Sequence, residues 1–408
     1  MAEYEIQNGV GIIPEGATTI ANRAFSGCDE LTKVIIPDGV TTIGREAFRD
    51  CRNLTSVKIP TSVTAIYMQA FAGCSSLASI TIPKDLTMIG LEAFTNCGAL
   101  TTIVVEEGNC MYDSRNNCNA IIVSATNTLI RGCCNTILPA DVEVINSYAF
   151  SACKGLTSVV IPEGVKKIDK CAFFDCPDLQ RVVIPKSVTE IKEGVFMHCK
   201  SLTSIVVEEG NSIYASPENC NAIIKNGTTL VAGCSNSIIP DGVQKLAYGA
   251  FCGHENLTSI VIPNSVTEIG AYAFNGCTAL TEVVIPQSVE YIGDGAFQDS
   301  GLTSVVVPET VKNLNGVFLR CEKLKTATIK GKLEDYRANS VFPFMDCSAL
   351  ETLTFLDCVR YFKEESCHGC KTLKSIVVPA KKGDYYKKRF VEELHPLIVE
   401  SAPIKKKK

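Results

Sequence analysis

The chain has 408 residues, 46% of them apolar, and a formal net charge of −5. The apolar share is enough for a core and excludes general disorder, and the acidic balance argues against a nucleic-acid surface built on a basic field. Tryptophan is absent, so no Trp-lined sugar or base platform is available. Apolar runs reach only about five residues, against the roughly 18 a membrane span requires, so no span is expected.

Residues 1–13 open with Met1-Ala-Glu-Tyr-Glu-Ile, with neither a basic n-region nor an apolar h-region. The sequence as it stands therefore reads as cytoplasmic. Cell-surface or secreted location is the alternative if a leader precedes Met1. Tyr4 to Ile13 is expected to form an irregular first coil that caps the core.

From Leu31 a pattern begins that recurs almost to the C-terminus. Val34 and Ile36 alternate with Lys33, Ile35 and Pro37, a short strand of period two that proline stops. Val40 and Ile43 suggest a second extended piece, with a bend at Gly44. The Ala47-Phe48-x-x-Cys51 segment is too short for a helix with its own core, so a 3₁₀ or single helical turn is expected. Phenylalanine sets the ruler: Phe25, Phe48, Phe71, Phe94, Phe150, Phe173, Phe196, Phe251, Phe274, Phe297, Phe318 and Phe344, with Cys367 in the thirteenth place. The usual spacing is 23 residues.

Such a unit cannot bury its inward groups alone, and stacked neighbours supply the missing walls. The expected core of the repeats includes Phe48, Cys51, Phe71, Cys74, Phe94, Cys97, Phe173, Cys176, Phe274 and Cys277. The fold class is a mostly β repeat solenoid with short 3₁₀ or helical turns and one long parallel sheet.

Two gaps in the ruler are longer, 56 residues from Phe94 to Phe150 and 55 from Phe196 to Phe251. Each holds one repeat plus an extra module. Both modules begin Glu-Glu-Gly-Asn (Glu106 to Asn109, Glu208 to Asn211) and carry Asn-Cys-Asn-Ala-Ile-Ile (Asn117 to Ile122, Asn219 to Ile224). Asn226-Gly227 between short apolar runs predicts a β-hairpin, with a looser version around Ser124 to Asn127. The organisation is then a cap (1–13), repeats (14–105), a hairpin module (106–139), repeats (140–207), a second hairpin module (208–240) and repeats (241–379). A C-terminal cap (380–400) and a basic tail (401–408) follow. In that cap Asp384 is expected to N-cap a helix from Tyr385 to Leu394, stopped by Pro396.

The pattern Leu-Thr-Ser-Val-x-Ile-Pro-x-x-Val-Thr-x-Ile-Gly-x-x-Ala-Phe-x-x-Cys, almost unbroken in Leu257 to Cys277, resembles the BspA-like leucine-rich repeat family from about Ile13 to Pro379. The resemblance implies a curved right-handed solenoid. It also implies surface proteins of bacteria and some protists that adhere to host proteins or other cells.

The chain has 21 cysteines, an odd number, and eleven of them hold one repeat position. They read as a reduced, buried column rather than a disulfide scaffold. Cys367-His368-Gly369-Cys370 could supply a low-pKa thiol or two zinc ligands, with Cys358 as the one evident further ligand, but the repeat register points both cysteines inward. In the modules Cys118 with Cys133, and Cys220 with Cys234, are candidates for a disulfide. Glu106-Glu107 and Glu208-Glu209 are candidates for calcium, with a solvated turn preferred. His254 falls in the cysteine column and is expected to turn outward. No nucleotide-binding motif or catalytic constellation is visible, so neither a cofactor, a resident metal nor an enzyme is expected.

The outward strand positions carry Val104, Val160, Val183, Val206, Val261, Val284 and Val306, flanked by serine and threonine. Branched residues suit a pleated surface, but an uncharged apolar stripe is also the kind of patch that meets another protein. The expected function is a non-catalytic, monomeric scaffold that binds a protein partner through this face. A surface adhesin is the alternative, and a metal or thiol-redox protein using the Cys-rich modules is a further one.

Overall fold

The computed structural model describes residues 4–333, 342–357, 364–388 and 392–402. The chain forms two compact units, Met1–Cys199 with Glu208–Ser212, and Lys200–Val207 with Ile213–Lys408. Each is β-solenoid with parallel sheets and little helix, and each has its own run of buried side chains.

A coil of the first unit shows why the repeat folds as it does. Lys33–Ile35 is a strand with Val34 and Ile36 buried and Ile35 exposed. It pairs in parallel with Ser56–Lys58, residue against residue one repeat on. Thr42–Ile43 forms a second row, parallel to Ala65–Ile66. At the bend between this row and the next segment, a Cβ on Gly44 would lie 2.6 Å from the Ile20 carbonyl oxygen, so glycine suits the close approach in this coil, while Tyr67 holds the matching place in the next.

The Ala-Phe-x-x-Cys segment differs from the 3₁₀ or helical turn expected for it. Residues two before and two after the ruler phenylalanines from Phe25 to Phe318 adopt positive φ, as Glu46 (55°) and Asp50 (57°) do around Phe48. This alternation sends every second N–H to the next coil: Glu46 to Met68 O (3.1 Å), Phe48 to Ala70 O (2.8 Å) and Asp50 to Ala72 O (2.7 Å). The intervening N–H groups of Ala47, Arg49 and Cys51 close turns on Gly44, Glu46 and Phe48. Donors spent between coils cannot also build a helix. The result is a third hydrogen-bonded row, and inside it the phenylalanine rings stack. Centroids lie 5.3, 5.1 and 5.5 Å apart from Phe25 through Phe94, and 5.1 and 5.2 Å apart from Phe251 through Phe297. That spacing is close to the ~4.8 Å between strands.

Both hairpin modules form. Tyr112–Asp113, Ala120–Val123 and Thr128–Gly132 run antiparallel, and the last lies parallel to Val144–Ile145, so the module is spliced into the second row. In the second unit Tyr214–Ala215, Ile223–Lys225 and Thr229–Ala232 repeat the arrangement and lead into Lys245–Leu246. Asn226 and Gly227 both have positive φ, the turn type their sequence signals.

The ends are more regular than expected at one terminus and less at the other. Glu5–Gln7 and Val10–Ile12 form an antiparallel hairpin, and Tyr4 sets its ring edge-on against Phe25. At the C-terminus the helix is only Gly383–Lys387, with Lys382 rather than Asp384 at the N-cap. The helix start is capped instead by the Glu400 carboxylate, which accepts from the Gly383 and Lys381 N–H groups at 2.8 Å. Pro396 lies inside the 3₁₀ turn Glu392–Leu397, and Ile398–Glu400 adds a parallel strand to Ser375–Val378. Lys405 to Lys408 and Cys358 lie outside the described residues.

The first strand row is not one long sheet. In the second unit, 259–262 and 282–285 carry the repeat pattern but are not strands and share no ladder with their neighbours, whereas Ser304–Val307 resumes a parallel sheet that continues to Ile398–Glu400. The second row and the phenylalanine stack stay closely spaced through the same coils, so the coils open on the first-row side only.

Candidate functional site

The outward valines of the first row are the residues the sequence singles out, and the structure separates them into two groups. In the first unit Val104 and Val160 are exposed and Val183 is half-buried. Val183 lies in Arg181–Ile184, paired on Ser158–Val160, where strands about 4.8 Å away cover part of each outward side chain. In the second unit Val206 is half-buried, Val306 is 46% exposed, and Val261 and Val284 are 81% and 80% exposed. The two most exposed valines belong to the coils that lack a ladder, because no neighbouring strand shields them.

Beside them the coils part into a cleft of about 560 Å³ between 282–287 and 304–308, with Val284, Pro286, Val306 and Pro308 on its walls and Glu282 and Lys330 at its charged edge. The two segments meet at one end, where Thr303 N–H and its hydroxyl both donate to the Thr281 carbonyl (3.0 and 3.2 Å). Ser259 and Ser304 are exposed in the neighbouring row, so hydroxyls flank the valines as expected from the sequence, with Glu282 and Lys330 as charged neighbours.

The cysteine column is buried except at Cys28 and Cys370, which are half-buried, and its chemistry is structural. Along most of the column a thiol donates to the phenylalanine carbonyl of the preceding coil: Cys51 to Phe25 (2.9 Å), Cys74 to Phe48 (3.1 Å), Cys97 to Phe71 (3.1 Å), Cys176 to Phe150 (3.0 Å) and Cys277 to Phe251 (3.1 Å). Burial pushes the thiols up, Cys51 to about 12 and Cys97 to about 11. His254, in the same column, is buried rather than turned outward, since the register that places cysteine inside places its substitute there too.

Cys367 and Cys370 share a hydrogen bond that raises Cys367 and lowers Cys370. Cys370 also donates to Phe344 O at 3.2 Å, so it continues the column. In the modules the cysteines are free thiols: Cys133 donates to Asn119 O and Cys234 to Asn221 O, while Cys118 lies against the Ser114 hydroxyl and Cys220 donates to Ala222 O. Glu106 accepts the Lys84 N–H, and Asn109 and Asn211 each bridge two carbonyls of the preceding coil, Pro83 with Leu86 and Pro185 with Val188. These module residues are thus spent on joining coils. Among the described residues no group of three His, Cys, Asp or Glu side chains converges as a metal site, and no helix is long and apolar enough to cross a membrane.

One residue passed over in the sequence is Arg131, a buried cation in the first module. The signal was available: its counterpart in the second module, one position before the matching Gly-Cys, is Ala232.

Similar structures share this architecture. A leucine-rich cell surface protein from Faecalibacterium prausnitzii A2-165 is 24% identical, with 95% of this chain and 89% of that chain covered and a TM-score of 0.56. A leucine-rich repeat protein from Eubacterium ventriosum is 22% identical over 91% and 87% of the two chains, TM-score 0.50. The pneumococcal vaccine antigen PcpA is 20% identical over 96% and 85%, TM-score 0.50. No curated protein matches the sequence. The family description "BspA type Leucine rich repeat region (6 copies)" matches residues 10–120, 132–226, 231–342 and 315–393. With most of its length covered by that pattern, the chain belongs to the BspA-type leucine-rich repeat family.

Proposed function

We propose that the chain is a non-catalytic scaffold that binds a protein partner through outward first-row side chains, with Val261, Val284 and Val306 as the centre of the binding face in the second unit. The observation that carries this reading is the exposure of Val261 and Val284, 81% and 80%, beside a cleft with apolar walls. Branched apolar side chains left this open lose the packing that would explain them as sheet formers, and an exposed apolar patch with a polar rim favours association. Val104 and Val160 present a similar surface in the first unit. Val183 and Val206, being half-buried, border the faces rather than lead them. A partner at the cell surface is the second reading within the same class, favoured by the cell-surface protein among the similar structures.

The test is the double variant Val261→Lys, Val284→Lys. Both side chains reach solvent, so the change should leave the far-UV circular dichroism spectrum unchanged and the unfolding free energy within about 0.5 kcal/mol of wild type. Proteins that co-purify with the wild-type chain should be lost, with affinity reduced at least tenfold in a direct titration of each. Equal affinity of the double variant for every such partner would remove this face from the reading.

A further inference from the structure

Arg131 is 2% exposed, and its surroundings do not neutralise it. Its Nη1 donates to the Ser151 carbonyl (3.2 Å) and hydroxyl (3.3 Å), and its Nη2 donates to the Cys97 carbonyl (2.9 Å). Among the described residues its Nε–H has no partner, and none of the ion pairs they form includes its guanidinium. The nearby thiols do not supply the missing charge, because burial holds Cys97, Cys133 and Cys153 protonated well above neutral pH. A buried cation without a counter-charge is costly.

The same guanidinium lines a cavity of about 170 Å³ in the first unit. The cavity exists because the module interrupts the phenylalanine column: Gly132 packs against Phe150, leaving no ring at the matching place beside Phe94. A second donor enters it. The Tyr112 hydroxyl accepts the Ile89 N–H at 2.8 Å, and among the described residues no acceptor takes its own proton. Phe94, Val123 and Ile130 give an apolar wall, and the exposed Leu91 and Glu92 form the rim, where Glu92 is engaged by Gln69 Nε2 at 2.7 Å.

From these observations we propose that the cavity beside Arg131 is a binding site for a small aliphatic monocarboxylate. The carboxylate receives the Arg131 Nε–H and the Tyr112 hydroxyl, and the alkyl end lies against Phe94, Val123 and Ile130. A single negative charge balances the single buried cation, whereas a divalent phosphate would leave a charge uncompensated in the same low-dielectric space. Water occupies about 30 Å³ of liquid volume per molecule, so a space of about 170 Å³ has room for a short aliphatic acid. The second module, with Ala232 in place of the arginine, has no such cation.

The experiment uses the full chain freed of carboxylates by dialysis and titrated at pH 7 with sodium acetate or propionate. Sodium gluconate at equal ionic strength is the reference, a carboxylate whose hydroxyl-bearing chain would be desolvated against Phe94, Val123 and Ile130. The melting temperature should climb with the logarithm of acetate concentration and stay flat in gluconate. Arg131→Met, which keeps the apolar stem, should weaken the apparent acetate affinity at least tenfold, and Tyr112→Phe should weaken it less. If Arg131→Met does not fold, Tyr112→Phe carries the comparison, with transfer of saturation from protein to acetate protons as a second readout. No acetate dependence in the wild type, an equal rise in gluconate, or unchanged affinity in the variants would overturn the site and leave Arg131 as a clamp on two carbonyls.

Discussion

At the scale of a single residue, Cys74 shows what the repeated cysteine contributes. Its thiol donates to the Phe48 carbonyl at 3.1 Å, and that carbonyl already accepts the Cys51 N–H at 3.3 Å. The partner lies 26 residues back, one repeat plus the three residues from phenylalanine to cysteine. The side chain therefore serves as both core filler and rung between coils, a combination that a small, weakly donating group can supply without heavy desolvation. Ser300 stands at a column position and lies 3.3 Å from the Cys321 sulfur, so the column tolerates a hydroxyl. Cys74→Ser should stay within about 1 kcal/mol of wild type in urea denaturation under reducing conditions. Cys74→Ala should lose about 1–2 kcal/mol, since it removes volume and donor together. An alanine variant as stable as wild type would mean that the thiol bonds contribute nothing.

At the scale of elements, the sensitive points are the joints between a hairpin module and the repeats. Gly233 follows the last strand of the second module, and a Cβ there would lie 2.1 Å from Cε1 of the buried Phe251 ring. That ring stacks on Phe274 at 5.1 Å and cannot withdraw. Gly233→Ala should cost about 2–3 kcal/mol, as overpacking of a filled core does. Gly227→Ala, at a turn with φ of 70° in open space, should cost about 1 kcal/mol through backbone strain alone. Melting temperatures of the two variants compare them directly, and an equal loss would show that the joint is not tight.

The same elements show what the sequence could and could not convey. Asn226-Gly227 announces its hairpin because few residues accept two consecutive positive φ angles. The phenylalanine ruler announces the stack because one bulky residue type recurs at one spacing. Glu46, Gln69 and Cys171 give no hint of the positive φ they adopt. That conformation comes from the rungs between coils and not from local preference. The loss of the ladder at 259–262 is equally silent: Ile260 and Ile262 are the same residue types that pair elsewhere, and Leu257 to Cys277 is the copy nearest the shared pattern. The candidate binding face was visible as a list of valines, but which of them stand open depends on that loss. Arg131 shows only against Ala232, in a comparison between the two modules.

At the scale of the whole molecule, the column makes stability depend on alkaline pH. Burial pushes Cys51 to about 12 and Cys97 and Cys321 to about 11, and holds Cys74, Cys153, Cys277 and Cys347 above their ordinary value as well. An unfolded thiol ionises near 8.5. Above that pH the unfolded chain has released protons that the folded chain still holds, so the unfolded state binds fewer protons and stability falls as pH rises. The stabilising contribution is complete below about pH 8 and is lost through the window from about 8.5 to 12. Each column thiol adds a slope of up to about 1.4 kcal/mol per pH unit within it. The urea midpoint of the reduced protein should therefore drop steeply between pH 8 and pH 10. Lysine and tyrosine titrate in the same range, so the decisive comparison is with the double variant Cys74→Ser, Cys277→Ser, whose hydroxyls do not ionise there. Its midpoint should fall less steeply than that of the wild type by the slope of two thiols. Parallel lines for the two proteins would show that the column stays accessible to solvent base, against the burial on which the repeat depends.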